Sequence, residues 1–205
     1  MPTLKLTYFP SKGRAEPIRL AFYIGGVPFV DERITGAQFI KTKESLPFQQ
    51  LPVLTVDGKI ISQSMGIFRY AGVLSNLYPA NDPFQALLVD QIIFQCQDTL
   101  ELLLPTVKEK DHDKMLLLRK ALVEDVWPRY FKELNDVLGM YGGKAAVGDK
   151  LTIADLMVHA LKTQITAGIL EAIPITILDA YEHIVKVTED VAKHPKVIEW
   201  YSTHK

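Results

Sequence analysis

The feature that most limits what this chain can fold into is a change of period near residue 80. Before it, strand-like and helix-like stretches alternate; after it, the strand signal all but vanishes. The join, Leu77-Tyr78-Pro79-Ala80-Asn81-Asp82-Pro83, holds two prolines and two turn formers, the composition of a linker. The expectation is a mixed domain over 1–76, a linker over 77–83 and an all-helical domain over 84–205.

Within the first part, Leu4, Leu6 and Tyr8 alternate with Lys5 and Thr7 as in a strand. Ser11-Lys12-Gly13 breaks it, and a helix is predicted over 15–24, with Pro17 tolerated in its first turn and Gly25-Gly26 ending it. A second strand is expected over 29–33 and a short helix over 37–44. Pro52 to Val56 and Lys59 to Ile61 flank Asp57-Gly58, a strong hairpin signal. Ser62 to Ser64 opens another helix, giving the order β-α-β-α-β-β-α. Beyond the linker, long helical patterns run over 84–108 and 114–138. Pro105 and Pro128 are expected to bend or break them, and two or three more helices fit between Thr152 and Tyr201.

Several chemistries are not indicated. A net charge of −1, with 48% hydrophobic and 23% charged residues, gives no global attraction to nucleic acid or an anionic membrane. The single cysteine, Cys96, allows no intramolecular disulfide and no cysteine-based metal cluster. The histidines, at 112, 159, 183, 194 and 204, offer no i, i+4 ligand pair, so no metal site is expected. There is no Gly-x-Ser-x-Gly elbow and no glycine-rich phosphate loop. No apolar run reaches membrane-span length, and neither terminus carries a secretory or lipidation pattern. A cytoplasmic protein is expected.

The β-α-β-α-β-β-α order, with a proline opening the third strand, has a thioredoxin-like look. A redox member would carry Cys-x-x-Cys after the first strand; here Tyr8-Phe9-Pro10-Ser11-Lys12-Gly13-Arg14 has no cysteine, so any thiol must come from a ligand. Four blocks then resemble one family. They are Leu6-Thr7-Tyr8-Phe9 with Gly13-Arg14-Ala15-Glu16 and Ile18-Arg19; Leu46 through Leu54; Asp57-Gly58 with Gln63-Ser64 and Arg69-Tyr70; and Gly148 through Asp155. In that order they resemble the cytosolic glutathione transferases, closest to the sigma class. The resemblance implies a thioredoxin-like α/β domain followed by an all-α domain, with glutathione as co-substrate and no cofactor.

The same resemblance assigns residues. A free thiol has a pKa of about 8.5, and a hydrogen bond donated to the sulfur favours the thiolate. Lowering the pKa by about 2 units needs roughly 2.7 kcal/mol. Tyr8 would be that donor; by spacing alone it is an ordinary β-favouring residue. Ser11 is the rival, as some classes use a serine after the first strand, though it also suits a turn. Arg14 would add positive potential or form a structural ion pair. Gln63 and Ser64, where a turn enters a helix, would take the γ-glutamyl carboxylate, or Ser64 is a plain N-cap.

Leu51 before a cis Pro52 would pair with the cysteinyl backbone. Lys43 and Gln50 would face the glycyl carboxylate, Lys43 otherwise being an exposed helix lysine. Phe39 stands where many sigma-class members carry Trp, and Gln50 where Lys is frequent; the first change loses an indole donor. Asp98 would reach the glutathione amine of a partner subunit in a homodimer, or is an ordinary polar helix position. The pocket for an apolar electrophile would involve Phe9, Ser11, Gly13, Arg14, Gln97, Leu104 and the region near Trp200. Thr152 and Asp155 form a capping-box pattern. Conjugation of glutathione to an apolar electrophile is the leading expectation, with a glutathione-dependent prostaglandin-type isomerase or a non-catalytic glutathione carrier or structural protein as alternatives.

Overall fold

The computed structural model describes residues 2–204. Strands β1 (Leu4–Tyr8), β2 (Val30–Arg33), β3 (Val53–Val56) and β4 (Lys59–Ile61) form one sheet in the order β2-β1-β3-β4. β1 runs parallel to β2 and antiparallel to β3. The parallel step requires a crossover, which helix α1 (Glu16–Ile24) supplies. The hairpin turns where the sequence predicts it, with Asp57 and Gly58 both at positive φ (47° and 82°), the condition of the tight turn that matches strand twist.

The alternation of β1 sets its two faces. Leu4 and Leu6 are buried on the side of α1 and α3 (Ser64–Leu74), where Ile18, Leu20, Phe22, Ile67 and Phe68 complete the core. Lys5 and Thr7 point the other way and bond to Glu32 at 3.1 and 2.7 Å. Helix α2 (Gly36–Thr42) buries no residue and is capped by a Thr35/Gln38 capping box.

The chain divides into two compact units. One runs to Ala80 and takes back the residues from Pro195 onward; the other is Asn81–His194. Helix α10 (Pro195–Thr203), which the sequence groups with the helical run, thus belongs to the first unit. Its Val197 and Trp200 are buried, and α10 packs on α1.

The second unit contains α4 (Pro83–Glu101), α5 (Leu104–Lys108), α6 (His112–Ala121), α7 (Trp127–Tyr141), α8 (Ile153–Ile165) and α9 (Glu182–Ala192). Pro105 falls in the first turn of α5. Pro128 does not kink a helix from within. A π-helical turn, Leu122–Val126, separates α6 from α7, and Pro128 occupies the first turn of α7, where a missing N–H costs nothing. α8 is buried on nearly all sides and begins at the predicted Thr152/Asp155 capping box. Among the described residues no helix is long and apolar enough to cross a membrane.

Candidate active site

Tyr8 ends β1, and its carbonyl accepts from the Ile34 N–H at 2.8 Å. Thr7 pairs with Val53, so one further step of the ladder sets Tyr8 beside Pro52. After Tyr8 the chain turns into a 3-10 turn, Gly13–Ala15. Gly13 adopts φ +40°, and a Cβ there would lie 2.6 Å from the Tyr8 hydroxyl. The site therefore needs glycine twice over, for its φ and for the close approach. The next N–H, that of Arg14, donates to the Tyr8 oxygen at 3.4 Å. A donor on a phenol oxygen polarises the O–H and makes it a better donor in its turn.

Aromatic rings extend this end of the strand. Tyr8 and Phe9 meet edge-on with centroids 5.4 Å apart, and Phe9 and Phe39 do the same at 5.4 Å. Tyr8, Phe9, Gly13, Arg14 and Phe39 are thus brought together. Ser11 is exposed, and its carbonyl accepts from Arg19 at 2.8 Å.

Across the ladder the Leu51–Pro52 peptide is cis. Neither the Leu51 N–H nor its carbonyl joins a backbone hydrogen bond with another described residue. Gln63 holds φ 78° and ψ 97° at the N-cap of α3, with no side-chain cap bond. A non-glycine residue in this region is strained, a condition that clusters at functional sites. Ser64 is the first helical residue, 7% exposed, so the plain N-cap role falls to Gln63 instead. The opening N–H groups of α3 lack intrahelical partners and suit an anion. Lys43 and Gln50 are exposed, Lys43 opening a 3-10 turn (Lys43–Ser45). Asp98 on α4 and Leu104 at the start of α5 are exposed residues of the second unit. The Gln97 side-chain amide donates to Glu101 at 2.9 Å. Trp200 is 2% exposed, a core residue rather than an open wall.

A buried ionic cluster supports the turn that follows Tyr8, and sequence reasoning gave it no role. Arg19 is fully buried. Its guanidinium donates to Asp31 Oδ1 at 2.9 Å, Glu16 Oε2 at 3.2 Å, and the carbonyls of Ser11, Lys12 and Phe9 at 2.8, 3.4 and 3.4 Å. It also lies 5.9 Å from the centre of the Tyr8 ring. Such clusters contribute through what they hold in place; removing one charge leaves the others uncompensated, at about 3–5 kcal/mol. The signal in the sequence was an arginine between Ile18 and Leu20, three residues after Glu16, on a helix whose other residues are apolar or aromatic.

Two sequence families match the chain. The glutathione S-transferase N-terminal domain matches residues 3–72, and the glutathione S-transferase C-terminal domain residues 97–204. The hematopoietic prostaglandin D synthase of Gallus gallus is 32% identical over 200 residues, covering 98% of this chain and 96% of that protein. Glutathione S-transferase 1 of Ascaris suum is 32% identical over 206 residues, with the same coverage of 98% and 96%. Among solved structures, the prostaglandin synthase D of Nilaparvata lugens superposes with a TM-score of 0.87 at 31% identity, covering 100% of this chain and 99% of that one.

Proposed function

The chain belongs to the glutathione S-transferase family, and from that premise we propose that the Tyr8 hydroxyl donates to the glutathione sulfur and holds it as a thiolate for attack on an apolar electrophile. The protein is a glutathione transferase; the assignment to Tyr8 is carried by one observation. Its hydroxyl sits against Gly13 and accepts from the Arg14 N–H, so its own proton is left for a ligand.

The rest of the reading follows from the surroundings. The γ-glutamyl carboxylate takes the start of α3, at Gln63 and Ser64, where main-chain N–H groups and helix polarity favour an anion. The cysteinyl backbone pairs with Leu51 next to Pro52. Lys43 and Gln50 serve the glycyl carboxylate, and Phe39 and Phe9 give an apolar wall. Arg14 adds positive potential. The electrophile is apolar, in keeping with those two rings. A reducing, cytoplasmic setting suits a chain whose single thiol, Cys96, is buried and pushed up by burial.

The test is conjugation of a chlorodinitrobenzene by wild type and Tyr8→Phe, with titration of the bound thiol. At about pH 6.5, losing a two-unit shift lowers the thiolate fraction roughly 50-fold, and kcat/KM should fall in step. Full activity with an unmoved titration would end the tyrosine reading. A second reading, glutathione-dependent isomerisation, is favoured by relatives that bear the name prostaglandin D synthase. It expects turnover of a prostaglandin precursor without net consumption of glutathione.

We also propose a homodimer. On α4, Phe84, Leu87 and Phe94 are 64%, 61% and 44% exposed. With Asp98 they fall on one helical face at 3.6 residues per turn. An exposed apolar stripe of this kind is the usual sign of a protein partner.

A further inference from the structure

We infer that Glu16 is a positioning residue for Tyr8, and that helix α10 is what holds Glu16 in place. The inference rests on the proposed role of Tyr8 as thiol activator.

Glu16 opens α1 and is 5% exposed. Its two oxygens are engaged in different directions. Oε1 accepts from Trp200 Nε1 at 2.9 Å, and Oε2 accepts from Arg19 Nη1 at 3.2 Å. The Tyr201 hydroxyl is also hydrogen-bonded to Glu16. Two consecutive residues of α10 therefore meet one carboxylate at the start of α1, across more than 180 positions of sequence.

From Glu16 the connection runs through Arg19 to the main chain. Arg19 donates to the carbonyls of Phe9, Ser11 and Lys12, which span the turn after Tyr8. Lys12 has a second tie, its ammonium lying 4.3 Å from the centre of the Tyr201 ring. That turn delivers Gly13 and the Arg14 N–H to the Tyr8 hydroxyl. Every step is a direct contact, and every member belongs to the same compact unit. The Arg14 contact is long, and its strength falls steeply with any shift of the turn.

A merely structural role is the competing account. Glu16 would then fasten α10 to α1 and have no bearing on Tyr8. The two accounts separate on readouts that stability alone does not move. Trp200→Phe removes one donor to Glu16 and keeps a ring; Tyr201→Phe removes another. Glu16→Gln keeps the shape and discharges the carboxylate. Each is made in the full chain and assayed for melting temperature, bound-thiol titration, and kcat and KM with glutathione and a chlorodinitrobenzene.

The expected result is a rise of about half a unit or more in the bound-thiol pKa and a roughly threefold or greater fall in kcat below it, with glutathione KM within about twofold of wild type. The effect should vanish when each substitution is combined with Tyr8→Phe, because it acts through that hydroxyl. If Glu16→Gln does not fold, the two phenylalanine variants carry the test.

Variants that lose thermal stability while keeping the wild-type titration and kcat would overturn the inference. So would an effect of unchanged size in the Tyr8→Phe background. If Tyr8→Phe itself leaves the titration unmoved, the tyrosine reading falls and takes this one with it. If it moves the titration and the Glu16, Trp200 and Tyr201 variants do not, only the present inference falls.

Discussion

At the scale of single residues, the site is defined by one close approach. Gly13 presents no Cβ to a hydroxyl that would lie 2.6 Å from it, and it holds φ +40°. Gly13→Ala should therefore move the Tyr8 hydroxyl rather than unfold the protein. The strained backbone costs about 1–3 kcal/mol, to be read from urea unfolding. The kcat for conjugation should fall by roughly tenfold, in line with about 1.4 kcal/mol of lost transition-state stabilisation. Wild-type kcat in this variant would mean the hydroxyl does not matter where it sits. Tyr8 could be placed at a strand end from local pattern, but by spacing alone it reads as an ordinary β residue, and its expected role came from the family resemblance. The reason for Gly13 was not visible in the sequence, because its neighbour is a side-chain tip whose direction no spacing rule gives. Arg19 was hidden in the same way: its partners lie at Glu16, at Asp31 and on three main-chain carbonyls.

At the scale of elements, legibility followed locality. The Asp57-Gly58 hairpin and the Thr152/Asp155 cap are decided within a few residues, and both formed as expected. The interruption expected at Pro128 lies upstream of it, as a π-helical turn at 122–126, because a proline in the first turn of α7 is compatible with helix. Asp155 also does more than its motif implies. It accepts from the Thr152 N–H at 2.8 Å and the Ala146 N–H at 2.7 Å, fastening the loop before α8 to the helix start. Asp155→Ala strands both donors and should lower stability by about 1–3 kcal/mol at neutral pH, measured by urea unfolding; a change within error would leave the cap without energetic weight. A second tether is pH-dependent. His112, first in α6, has Nε2 3.0 Å from Glu171 Oε2, and this hydrogen bond raises its pKa. A raised histidine stabilises the fold below its ordinary value of about 6.5, and that contribution is lost as pH rises through the folded value. Both side chains are more than half exposed, so salt weakens the effect. In low salt, His112→Ala should unfold more easily than wild type at about pH 5.5 and match it at about pH 9. A gap as wide at the higher pH would rule out the ion pair as its source.

At the scale of the whole molecule, the sequence separates a mixed segment from a helical one, because the change of period is written along the chain. It does not reveal that α10 rejoins the first unit, since an amphipathic helix shows that it needs a partner without showing which. Trp200 and Glu16 make that choice. The same limit applies to α4, whose exposed stripe of Phe84, Leu87 and Phe94 asks for a covering surface. Within the proposed homodimer this stripe lies in the contact, and Asp98 shares its face. Leu87→Glu places a charge in that contact without touching the core, since Leu87 is already 61% exposed. Desolvating an unpaired carboxylate at an interface is costly, so dimerisation should weaken by roughly 100-fold, equivalent to about 2.7 kcal/mol. Sedimentation velocity across micromolar and nanomolar concentrations reads the shift directly, and far-ultraviolet circular dichroism checks that the helices persist. If wild type already sediments as a monomer at micromolar concentration, the dimer is wrong and the stripe on α4 needs another partner. If Leu87→Glu sediments with wild type as a dimer, the dimer stands but its contact lies elsewhere on the surface.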